Sequence, residues 1–112
     1  MADFEMYAGD SKTLQVTVLD DAGAAADISG ATVRWQMARY CGATPVVEKA
    51  TGSGISIVDG PTGRFDVALL PADTEALQGC HYHEAELENV GVVSTVLTGE
   101  AHIKPTTIKP AA

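Results

Sequence analysis

Apolar and polar residues alternate one by one through most of this chain, and each alternating run stops at a cluster of turn residues. In Thr13 to Asp20 (TLQVTVLD), Leu14, Val16 and Val18 share one face while Gln15 and Thr17 share the other. In Thr32 to Ala38 (TVRWQMA), Val33, Trp35 and Met37 oppose Thr32, Arg34 and Gln36. In Arg64 to Leu70 (RFDVALL), Phe65, Val67 and Leu69 fall on one side. A period of two marks a strand with one face buried, and a period of 3.6 is sustained nowhere. The breaks fall at 20–30, 42–45, 51–54, 59–63 and 89–91, where Gly, Pro, Asn and Asp supply the dihedrals that turns need. Turns every 8–12 residues or so suit a sandwich or a barrel rather than alternating strands and helices. Strands are therefore expected at 4–8, 12–20, 32–40, 45–50, 55–58, 64–70, 80–88 and 92–104. One helical turn is expected over Pro71 to Leu77, with Pro71 at the first helical position and Gly79 at the exit.

Bulk properties narrow the class. The 112 residues, 46% of them hydrophobic, make one domain able to bury a core without metal or disulfide help. The expected division is a single β domain over 1–104 and an extended C-terminal arm over 105–112, where Pro105 and Pro110 bar a helix. No apolar run approaches the roughly 20 residues of a membrane helix, so no membrane contact is expected. The start, Met1-Ala2-Asp3-Phe4-Glu5, has neither a basic stretch nor an apolar one, which implies synthesis in a cytoplasm without a secretory signal. Net charge is −8, with fifteen acids and seven scattered bases, and a phosphate backbone needs clustered bases, so nucleic acid is not an expected partner.

The stretch from Leu70 to Tyr82 (LPADTEALQGCHY) reads as a short turn crossing between sheets, followed by a strand that begins with a tyrosine. In immunoglobulin-like sandwiches such a tyrosine folds back onto the corner backbone, and a central tryptophan fills the core. Tyr82 and Trp35 are the candidates for these structural roles, although short strands can also close a barrel. The fold class expected is all-β, an immunoglobulin-like antiparallel β-sandwich of about 7–8 strands. The segments Tyr7 to Gly23 (YAGDSKTLQVTVLDDAG), Asp27 to Arg39 (DISGATVRWQMAR), Gly63 to Gly79 (GRFDVALLPADTEALQG) and Tyr82 to Ile103 (YHEAELENVGVVSTVLTGEAHI) resemble small tailed-phage virion proteins. They are similar to the N-terminal domain of phage baseplate upper proteins and to related immunoglobulin-like head and tail proteins. The resemblance spans nearly the whole chain, and its motifs are structural. It implies a virion protein assembled in the host cytoplasm, without enzymatic activity or cofactor. Such a protein would act as a capsid decoration or cement protein held by contacts with the major capsid protein or other virion proteins, and as a homo-oligomer within the assembly. A tail, baseplate or head–tail junction component of the same fold is the alternative. A receptor- or carbohydrate-binding module is a further one, though the chain has only one Trp, three Tyr and two Phe for an aromatic platform.

The residues able to do chemistry are few. His81 and His83 lie two apart on one strand, so they share a face, and His102 in the next strand is a third weak metal-ligand candidate. The plainer expectation is a polar outer strand face with no metal. If Tyr82 points inward then Glu84 does too, and Arg34 or Arg39 is expected to pair with it. Cys41 ends one expected strand and Cys80 begins its neighbour, so the two are disulfide candidates. Gly52, Gly54, Gly60 and Gly63 belong to hairpin turns, since no Gly-Lys-Ser/Thr follows them. No nucleophile, base and orienting group occur together, so no catalytic residue is expected. Contacts with other chains are expected at the terminal arms, through Phe4, Met6 and Tyr7 at one end and Ile103 and Ile108 at the other, and at exposed strand edges such as that from Thr13 to Asp20.

Overall fold

The computed structural model describes residues 3–20, 22–105 and 107. Eight strands form: β1 (Phe4–Tyr7), β2 (Lys12–Thr17), β3 (Thr32–Ala38), β4 (Pro45–Thr51), β5 (Gly54–Asp59), β6 (Arg64–Leu69), β7 (Gly79–Asn89) and β8 (Val92–Lys104). Each lies within a few residues of its expected place. The helical turn α1 (Pro71–Thr74) is shorter than expected. Leu77 N–H closes back on Thr74 O as a tight turn, and Gly79 then bends the chain at φ +92°.

All eight strands belong to one hydrogen-bonded sheet, in the order β1-β8-β7-β3-β4-β5-β6-β2. The strands from β8 to β4 form one half of this order and those from β5 to β2 the other. A parallel link of two residue pairs, Ala50↔Gly54 and Thr51↔Ile55, joins the halves. The first strand pairs in parallel with the last, from Phe4↔Ala101 to Tyr7↔Lys104. It therefore leaves the second strand, β2, at the far end of the sheet. Both end strands feed the same core, β1 through Met6 and β2 through Leu14 and Val16, so the sheet wraps around one apolar interior. Trp35, Phe65, Ile28 and Met37 are the largest side chains fully buried there.

A charged tether fixes α1 to this sheet. Asp73 Oδ2 accepts Leu70 N–H at 2.7 Å, the reach-back half of a capping box. The same oxygen lies 2.8 Å from Lys49 Nζ, and both side chains are largely buried. Lys49 gets there by lying across Gly54, where a Cβ would fall 2.5 Å from the lysine Cδ. On the other side of α1, the buried Thr74 Oγ1 accepts Gly9 N–H at 2.9 Å, which ties the helical turn to the β1–β2 connection. Asp73→Ala is expected to lower stability by about 1–3 kcal/mol, because it removes a cap and strands a largely buried ammonium. Asp73→Asn, which keeps the cap, should lose less; urea unfolding of the two variants compares them.

Candidate functional site

β7 presents two opposed sets of side chains, and the structure buries the one containing the histidines. His81 is 3% exposed and His83 1%. The polar outer face expected for this pair is corrected: they line the core side, with Ala85 beyond them. Tyr82, Glu84 and Glu86 take the outer side. The reason is desolvation. Burying Tyr82 would carry Glu84, Glu86 and Glu88 inward with it, whereas neutral imidazoles can be buried when hydrogen-bonded.

The hydrogen bonds fix the imidazole protons. Trp35 Nε1 is only a donor, and it lies 3.0 Å from His83 Nδ1, so that nitrogen accepts. Phe4 packs edge-on against the same ring, with centroids 4.9 Å apart. At His81 the bond runs the other way: Nδ1 donates to Gly79 O at 3.1 Å, and Nε2 is buried without a hydrogen-bond partner. In two histidines two residues apart, Nδ1 thus plays opposite hydrogen-bonding roles. His102 lies exposed on the other face of β8, so the three histidines are not brought together. Among the described residues no group of three metal-ligating side chains converges.

On the outer side, β7 pairs with β3 in register Arg34↔Glu86, Gln36↔Glu84 and Ala38↔Tyr82. Arg34 pairs with Glu86 at 2.7 Å, not with Glu84 as expected, and this exposed ion pair holds the guanidinium proton more tightly through its hydrogen bond to the carboxylate. Cys41 and Cys80 are both exposed free thiols, so the disulfide does not form here. Cys41 lies instead beside the Tyr82 phenol, whose pKa is raised first by burial and then by Glu84 and Cys41. The corner role expected of Tyr82 is corrected in the same way: its ring sits on the outer face, and Thr74 makes the inward tie. Trp35 is central and fully buried, as expected.

The contact residues expected on free arms are largely used within the chain. Met6 and Ile103 are core residues, paired across β1 and β8, and Phe4 packs on His83. They are buried because β1 is a strand of the sheet and not an arm. Tyr7 is exposed, with Lys104 Nζ 5.4 Å above its ring. Ile108 lies outside the described residues, as does most of the 105–112 arm.

Sequence reasoning placed a turn at 89–91 but missed the strain at the apex of the β7–β8 hairpin. Val90 and Gly91 join these long strands with φ +52° and +80°, the two left-handed residues of a type I′ turn. Val90 is the one described non-glycine residue with positive φ, and it is 97% exposed. Val92 and Val93 beside it are 66% and 55% exposed. A β-branched residue is strained in this conformation, and three exposed valines gain nothing from water. The signal was present in Asn89-Val90-Gly91-Val92-Val93, an apolar run where asparagine or glycine is favoured. Val90→Asn should relieve the strain and stabilise the domain by about 1 kcal/mol. That is a rise of about 4 °C in the melting temperature, read by thermal unfolding.

No family model matches this chain, and no curated protein matches it significantly.

Proposed function

We propose that this domain is a non-enzymatic structural protein of a tailed-phage virion, a decoration or cement protein that binds the assembled head through the β7–β8 apex. The observation that carries this reading is the strained, exposed valine cluster at Val90, Val92 and Val93. Strain kept at a solvent-facing apolar position points to a contact made elsewhere. The resemblance of the strands to small phage head and tail proteins supplies the class of partner. A net charge of −8 keeps the free domain soluble until it docks. Docking on the assembled lattice, and not on its separate subunits, stabilises the shell by mass action.

Gold-labelled antibody against the domain, applied to virions of the phage that encodes it, tests the placement. Label distributed over the head is expected. Label confined to the tail or baseplate would move the same fold to the alternative placement and overturn the decoration reading. Particles without label would overturn the virion reading altogether.

A further inference from the structure

The two ends of the sheet are built differently. β1 carries carboxylates along its edge: Asp3 Oδ1 takes the Glu100 N–H at 2.9 Å, and Glu5 pairs with Lys104 at 3.1 Å. β2 carries a single charge, Lys12 at its start. From Thr13 to Leu19 there is no charge, no proline and no glycine, and the ladder to β6 runs from Lys12↔Leu69 to Thr17↔Arg64 without a register shift. Charges, prolines and bulges are what keep edge strands from pairing with other chains. The main chain shows which groups are on offer. Val18 turns its N–H to Gly63 O and its C=O to Ala26 N, so its groups are engaged within the chain. Main-chain groups alternate along a strand, which leaves those of Thr13, Gln15 and Thr17 facing the open side. Under this edge lies a groove of about 330 Å³, lined by Phe4, Leu14, Val16 and Leu97 with His83, and with Asp3 and Lys12 as its charged residues.

We infer that the open edge of β2 pairs antiparallel with β2 of a second copy of this chain, across a two-fold axis at Gln15. The occupant follows from the strand's own pattern. With Gln15 opposite Gln15, Thr13 meets the second copy's Thr17, and Leu14 meets the second copy's Val16. Polar residues then face polar ones on the outer side, and apolar ones meet over the groove. The three outward residues of each strand exchange about six main-chain hydrogen bonds, two per opposed pair. Charge favours the same place. Copies with net charge −8 repel wherever acids meet, as they would across the outer face of β7 with Glu84, Glu86 and Glu88, whereas the strip from Thr13 to Leu19 is neutral. A two-fold strand pair closes on itself, so association stops at a dimer. This inference does not rest on the virion reading and holds wherever the domain is used.

Sedimentation velocity of the full chain from micromolar to sub-millimolar concentration, together with amide exchange, tests it. A doubling of mass is expected as concentration rises, with exchange at Thr13, Gln15 and Thr17 slowing in step. Gln15 is exposed on the outer face of the sheet, so Gln15→Lys and Gln15→Glu alter an exposed side chain and leave the core intact. Each variant alone should dimerise about two- to fivefold more weakly, because like charges meet at the axis. Their equimolar mixture should recover a heterodimer. A chain that stays monomeric throughout, a dimer indifferent to Gln15→Lys, or a mixture no stronger than either variant would overturn the inference. The exchange measurement on the unmodified chain decides the matter even if a variant fails to fold.

Discussion

Trp35→Ala is expected to leave the domain largely unfolded at 25 °C. Trp35 is fully buried at the centre of β3 and is the largest side chain in the core. Removing a buried aromatic of this size costs about 3–5 kcal/mol in lost transfer energy and cavity. The indole also supplies the hydrogen bond to His83 Nδ1, a buried acceptor that would lose this donor. Loss of this hydrogen bond adds about 1–3 kcal/mol. The sum falls within the 5–15 kcal/mol or so of a whole domain's stability. Trp35→Phe separates the two contributions, since it fills most of the space and removes only the donor. It should cost mainly the lost hydrogen bond plus a small cavity. Circular dichroism in urea measures both variants. A Trp35→Phe loss equal to that of Trp35→Ala would place the weight on the hydrogen bond, and no loss in either would refute the packing described.

Gly63→Ala should be strongly destabilising for the addition of a single methyl group. Gly63 has φ +74°, and a Cβ there would lie 2.6 Å from both Ala26 O and Val18 O. Those atoms are backbone and cannot swing aside as a side chain would. They also hold the β2–β3 connection in place: Val18 N–H donates to Gly63 O at 2.8 Å, Ala26 N–H to Val18 O at 3.0 Å and Ile28 N–H to Gly60 O at 2.8 Å. Moving Gly63 therefore loosens Ile28, one of the largest fully buried side chains. Left-handed strain of about 1–2 kcal/mol combines with about 1–3 kcal/mol of overpacking. Gly23→Ala is the control. Its φ is +83° but nothing lies within 4 Å of the added carbon, so only the strain should appear. Equal losses in the two variants, by urea unfolding, would contradict the close approach at Gly63.

The strands were legible because a half-buried strand writes its period into the sequence, and here nearly every strand has one wet face. The inner face of β7 was not legible by that rule, since Cys80-His81-Tyr82-His83-Glu84 is polar on both alternations. What decides it is which set tolerates desolvation, and three glutamates on the Tyr82 side weigh more than the analogy that favours an inward tyrosine. The burial of Met6 and Ile103 was hidden for another reason. Parallel pairing of the first strand with the last is a contact between chain ends, and no local pattern encodes it. The close approach at Gly63 is equally non-local, because the atoms it meets lie on the β2–β3 connection. The hairpin apex was legible as a turn, but only the positive φ at Val90 marks it as strained.

Binding of the domain to phage heads stripped of it, compared between the native chain and Val90→Asp, tests the central claim most directly. The carboxylate leaves the free domain folded, because Val90 touches solvent on nearly all sides. In the bound state it would place an unpaired charge in an apolar contact, so affinity should fall at least about a hundredfold with no drop in melting temperature. Heads that fill equally with the native chain and with Val90→Asp would show that the apex is not the point of attachment.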